Sequence, residues 1–178
     1  MNWSKRQIGA FGDFYREETV ARHKMRLPVY RASLQEIEVA FDLVKEYYQE
    51  VGVIAREDRA EFERQYFREG TGLWLAIVEG QVVGCVALRR LGAPANCGEI
   101  KRMYVRSSHR GKGIAGALLK SLEVYAMKHK YAWLYLDTTD SMVTAARFYE
   151  RNLYQPCERY NDNPQATVFM RKGISVPR

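Results

Sequence analysis

Hydrophobic side chains first fall into a helical rhythm at Ile37, Ala40, Phe41, Val44, Tyr47, Tyr48 and Val51, spaced to line one face of a helix that closes near Gly52. Just upstream, "VYRAS" reads as a short strand, and Ser33 with Glu36 makes a capping-box pattern that starts the helix. A second, charged helix is predicted from about Glu57 to Arg68, stopping at Gly70. The rhythm then changes to that of strands: "GLWLAIVEGQVVGCVALRRL" reads as two strands folded back at Glu79-Gly80. A loop holding Pro94, Asn96 and Gly98 leads into a third run, "EIKRMYV", residues 99–105. Beyond a glycine-rich loop, Ile114, Leu118, Leu122 and Tyr125 mark one face of a long helix, followed by the buried-type strand "AWLYLD". Ser141 is placed to cap a last helix through about Asn152, and "YQPCERY" and "ATVFMR" read as two closing strands. The pattern predicts an α/β (α+β) domain: a mixed, mostly antiparallel sheet with helices packed against it.

Length allows one domain with a sizeable core, since 178 residues bury on the order of 70% of their unfolded surface. We divide the chain into a polar extension (1–28), one domain (29–171) and a basic tail (172–178). The apolar run "LWLAIV" falls well short of the roughly 18 residues of a membrane helix, and residues 1–27 carry no apolar signal segment. A cytoplasmic protein with no membrane partner is the expectation. Cys85, Cys97 and Cys157 are odd in number and far apart, which favours reduced thiols, and His23, His109 and His129 have no metal-binding spacing, so no metal is expected.

The net charge of +7 is unevenly placed. Residues 34–69 hold ten acidic and five basic side chains, whereas residues 70–170 hold thirteen basic and eight acidic. A two-sided domain of this kind is not written like a uniformly basic nucleic-acid binder, so nucleic acid is disfavoured as a partner.

Candidate chemistry centres on "RGKGIAGALL", residues 110–119, which admits two readings. From Gly111 it spells G-x-G-x-x-G, a dinucleotide fingerprint; from Arg110 it spells R-x-x-G-x-A, an acyl-CoA pyrophosphate loop. The first requires a glycine almost at the strand end and an acidic residue about 20 positions on. Here "RSSHR" intervenes and Asp137 comes too late, so the context favours the second. The rivals that remain are a nucleotide-dependent oxidoreductase and a non-catalytic basic binding module.

From "CGEIKRMYVRSSHRGKGIAGALL" through "LYLDT" to "AARFYERNLY", the chain resembles the GNAT superfamily of acyl-CoA-dependent N-acetyltransferases, over roughly residues 29–171. The resemblance implies a sheet whose central strands splay to hold acetyl-CoA as cosubstrate, and direct transfer of acetyl to a primary amine of a small molecule, cationic ones included, or of a peptide. It places the pyrophosphate on Arg110, Gly111, Lys112, Gly113, Ile114, Ala115 and Gly116, where free amides meet the positive end of a helix dipole. Lys101, Arg102, Arg106, Arg110 and Lys112 would add cations for the phosphates. By position, the backbones of Met103 and Val105 would pair with the pantetheine arm, and amides near them would stabilise an oxyanion.

An alkyl ammonium needs a base before it can attack, and the resemblance gives that role to Glu99, directly or through water. Tyr149 in "ARFYERN" matches the tyrosine that protonates the leaving thiolate. Cys97 reads as a loop thiol rather than a nucleophile, His109 as a solvated flank, and Asp137 and Asp140 as a strand end that helps cap the next helix. Tyr160 and Asn163 in "RYNDNP" are candidate acceptor contacts, and the acids of residues 34–69 would draw a cationic amine. Met142 stands where many members carry an asparagine, and Leu153 where a glycine is usual; a side chain there disfavours a left-handed turn. A homodimer is compatible with this reading.

Overall fold

The computed structural model describes residues 28–52, 54, 57–92 and 95–174; the predicted extension up to residue 27, Pro94 and the last four residues lie outside them. The elements run β1 (Val29–Arg31), α1 (Ile37–Val51), α2 (Arg59–Tyr66), β2 (Gly72–Val78), β3 (Gln81–Arg90), β4 (Cys97–Val105), α3 (Ile114–Lys128), β5 (Trp133–Thr138), α4 (Val143–Arg151), β6 (Gln155–Pro156) and β7 (Val168–Gly173). Seven strands form one sheet in the order β1-β2-β3-β4-β5-β7-β6, antiparallel throughout except for the parallel pair β4-β5. This is the mixed, mostly antiparallel α+β architecture that the pattern predicts.

Period-two alternation gives the sheet two buried faces. Trp74 and Ala76 of β2 with Val86 and Leu88 of β3 face one way, onto Ile114, Leu118, Leu119 and Leu122 of α3. Leu73, Leu75, Cys85 and Ala87 face the other, onto Ala40, Leu43 and Val44 of α1 and Phe62 and Tyr66 of α2. Burying each such leucine or phenylalanine contributes roughly 1.5–3 kcal/mol.

Local signals behave as their chemistry demands. The Ser33–Glu36 capping box forms, and Asp58 caps α2 by accepting from the Glu61 amide at 2.7 Å. At the β2–β3 turn, Glu79 and Gly80 both take positive φ (51° and 76°), as a tight two-residue hairpin requires.

Four boundaries differ from the sequence reading. Cys97 and Gly98 belong to β4, because both pair with β5. Ser141 does not cap α4; its hydroxyl meets that of Thr139 at 2.7 Å, and the residue before the helix is Met142. Of "YQPCERY" only Gln155–Pro156 is strand, and residues 157–167 loop back over the sheet. Lys172 and Gly173 still pair in β7, so the closing strand runs two residues beyond "ATVFMR".

Leu153 adopts φ +69° despite its side chain. The amides of Tyr154 and Leu153 bond the carbonyls of Tyr149 (3.0 Å) and Glu150 (2.9 Å), which is a Schellman ending for α4, and the Tyr149 and Tyr154 rings pack 5.5 Å apart beneath it.

Candidate active site

β4 and β5 stay paired only from Cys97/Trp133 to Ile100/Leu136. From Lys101 onward β4 has only β3 as a neighbour, and from Asp137 onward β5 has only β7. One cause is visible in β4, where Arg102 and Met103 together stand opposite Val86. Such a bulge bends its strand and raises its twist. Arg102 carries the strain at φ +56°, a conformation costing a non-glycine residue on the order of 1–2 kcal/mol. Its guanidinium is held by Glu57 at 2.8 and 2.9 Å and lies 4.9 Å from the centre of the Tyr48 ring.

The strand fork opens into a cavity of about 950 Å³. Its wall includes Met103, Tyr104 and Val105 of β4, Arg110, Gly111, Gly113, Ile114, Ala115 and Gly116 at the start of α3, Asp137 and Thr138 of β5, and Tyr149 of α4. Gly111 and Gly113 hold φ of +77° and +80°, and a Cβ at either position or at Gly116 would meet nothing within 4 Å. The loop is thus an open cradle, and the first amides of α3 have no intrahelical partner. That combination fits a diphosphate, which needs close backbone approach and N–H donors at the positive end of a helix.

Cations near this cradle are less available than their number suggests. Arg106 grips Glu46 of α1 through two bonds of 2.8 and 2.6 Å, and Arg110 pairs with Glu50 while donating to the Val105 carbonyl at 2.9 Å. Lys101 pairs with Asp137 and Arg102 with Glu57. Of the five cations read from sequence, Lys112 alone makes no ion pair among the described residues. The acids of α1 and α2 are spent in the same pairings, in caps and in helix-surface pairs such as Asp42–Lys45 and Glu61–Arg64.

The Tyr149 ring is buried on the cavity wall between Phe148 and Tyr154. Burial, with smaller contributions from Tyr47 and Asp137, pushes its hydroxyl above the ordinary tyrosine value, so it stays protonated at neutral pH.

Glu99 is 0% exposed and does not reach the wall. Its carboxylate pairs with Arg89 and accepts from Tyr160 at 2.9 Å and Asn161 at 3.0 Å, with the Lys101 ammonium 3.4 Å away. A solvated strand-start carboxylate is ruled out. Asp137, assigned from sequence to a strand end and a helix cap, instead accepts from Lys101 at 2.7 Å, Asn161 at 2.9 Å and Asn163 at 3.0 Å. Burial alone would raise its pKa, but the Lys101 charge and these bonds outweigh it and hold the carboxyl below its usual range.

Of the predicted site residues, the fork therefore gathers Met103, Val105, Arg110, Gly111, Gly113, Ile114, Ala115, Gly116, Tyr149 and Asn163 on one wall. Glu99, Lys112 and Tyr160 lie off it. Cys97 is a buried β4 thiol rather than a loop thiol, with its pKa raised by burial, and His109 contributes to the wall instead of standing apart. Asp137 and Tyr47 are wall residues the sequence reading did not assign to the site, and Met142, at the position where many family members carry an asparagine, lines the wall as well. Asp137 would have needed the β4–β5 register, which no single-strand pattern supplies.

Comparison with known proteins points the same way. The Acetyltransferase (GNAT) family profile matches residues 37–153. An uncharacterised N-acetyltransferase of Schizosaccharomyces pombe is 33% identical over 140 residues, covering 75% of this chain and 85% of that protein. The N-acetylaspartate synthetase of Xenopus tropicalis is 40% identical over 96 residues, 53% of this chain; the match covers only 35% of that longer protein. Among solved structures, a GNAT-family acetyltransferase of Staphylococcus aureus superposes with TM-score 0.72 at 21% identity, over 83% of this chain and 99% of that one.

Proposed function

Because the chain belongs to the GNAT acetyltransferase family and is an N-acetyltransferase, we propose that it moves the acetyl group of acetyl-CoA directly onto a primary amine in the β4–β5 fork. The observation that carries this reading is the fork itself, with an open, left-handed glycine cradle at one end and Tyr149 on its wall. A nicotinamide-dependent oxidoreductase loses its support, since the glycine loop follows a strand of a largely antiparallel sheet, not the first strand of a doubly wound one.

Acetyl-CoA supplies the activated thioester. The amides of residues 111–116 hold its diphosphate, and the free edge of Met103–Val105 faces the pantetheine arm. Tyr149 keeps a proton at its hydroxyl for the departing thiolate. Glu99, walled off by its partners, acts on the amine proton through an intervening water rather than by touching the amine. The partial match to N-acetylaspartate synthetases makes L-aspartate the first acceptor to try.

A thermal-shift titration with acetyl-CoA, CoA and NAD tests the reading on wild type and Gly113→Glu. The CoA species should stabilise the wild type and NAD should not. In Gly113→Glu, a carboxylate on a strained φ of +80° enters the cradle, and the stabilisation should vanish. Stabilisation by NAD alone would overturn the proposal.

A further inference from the structure

Ile100 and Leu136 are the last residues that β4 and β5 pair, so Lys101 and Asp137 stand next at the apex of the fork, bridged at 2.7 Å. Of the two carboxylates in this network only Asp137 lies on the cavity wall; its side chain is 5% exposed and that of Glu99 is 0%. A carboxylate offers about four lone-pair sites, and Lys101, Asn161 and Asn163 occupy three of those on Asp137. One acceptor site is left on an anion facing the cavity. The other wall carboxylate, Glu50, stands at the cradle end rather than the apex, beside Arg110 and accepting from the Tyr104 hydroxyl at 2.7 Å.

We propose that Asp137 is the residue that receives the ammonium of the acceptor amine at the fork apex, an inference that rests on the acetyltransferase reading. An alkyl amine arrives charged at neutral pH and must shed much of its hydration to enter a largely apolar cavity. A fixed anion at the apex compensates that loss and sets the nitrogen at the end of the fork. Lys101, Asn161 and Asn163 orient the carboxylate, and Glu99, held by Arg89, Tyr160 and Asn161, anchors Lys101 and the 157–167 loop behind it. The preference for an amine then comes from one buried carboxylate rather than from the acidic helices.

The test measures release of free CoA thiol from acetyl-CoA with L-aspartate, L-lysine, putrescine and an alanyl peptide as acceptors. Wild type is compared with Asp137→Asn and with the charge-neutral pair Lys101→Met/Asp137→Asn, which leaves no orphaned ammonium. The expected result is a rise of about tenfold or more in KM for the amine, a smaller change in kcat, and an unchanged thermal shift with acetyl-CoA. Partial recovery of KM in Asp137→Glu would add support. If wild type turns over an amine and both variants keep its KM within about twofold, Asp137 does not receive the ammonium and the acetyltransferase reading stands. Unfolding of both variants would make the pair structural and overturn the proposal. Stabilisation by acetyl-CoA with no amine-dependent thiol release by wild type would sink both this proposal and amine transfer.

Discussion

Tyr149 reaches the cavity because α4 ends in a left-handed residue that folds Tyr154 back under it, fixing the ring by edge-to-face contact and leaving the hydroxyl bonded to no described side chain. Tyr149→Phe should therefore fold and bind acetyl-CoA normally, while kcat falls by roughly a hundredfold, the low end of general-acid contributions. Steady-state kinetics beside a thermal shift would check both halves. Four residues further along the chain the cost is structural. Leu153 is 74% exposed and gains little from burial, yet occupies φ +69°. Leu153→Gly should relieve about 1–2 kcal/mol of left-handed strain and lose about half of that to the freer unfolded chain, so the melting temperature should rise by a few degrees. A fall would mean that the leucine side chain contributes packing the turn needs.

At the scale of elements, α1 is tied to the cradle through Glu46–Arg106 and Glu50–Arg110. These pairs are partly exposed, so each is worth less than about 1 kcal/mol in stability, but they set the charge that a phosphate meets. Glu50→Gln keeps an acceptor for Tyr104 and removes an anion from the cavity wall, so CoA should bind roughly twofold tighter at low salt and the gain should fade as salt rises. Weaker binding in that variant would mean that Glu50 serves chiefly to aim Arg110. Such pairings explain which parts of the molecule could be read from sequence. The hydrophobic periods of α1, α3, β2 and β5 are local properties, and so is the glycine loop, so the elements and one half of the cavity were legible. Cross-element facts were not: that Arg106 and Arg110 face α1, that β4 bulges at Arg102, and that Lys101 meets Asp137 all depend on register and packing. Counting charges along the chain overstated the cations free to meet a phosphate.

For the whole molecule, titration couples the two cores to pH in a direction set by burial. Cys85, fully buried between β3 and α1, has its thiol pushed from 9.0 up to about 12 by desolvation, with Arg102 opposing. Burial likewise drives the hydroxyls of Tyr66, Tyr149 and Tyr154 above their ordinary value of 10.0. In each case the folded state keeps a proton that the unfolded chain releases, so between the unfolded and folded pKa the unfolded chain binds fewer protons and stability falls as pH rises. The contribution of Cys85 is intact below pH 9.0 and is lost progressively toward about 12, with the tyrosines adding from 10.0 upward. Urea midpoints should therefore drop steadily from pH 9 to 12, and Cys85→Ala should make the drop between pH 9 and 10 shallower without abolishing it, because burial also raises the Cys97 and Cys157 thiols. An equally steep drop between pH 9 and 10 in Cys85→Ala would mean that Cys85 contributes nothing to the alkaline limb.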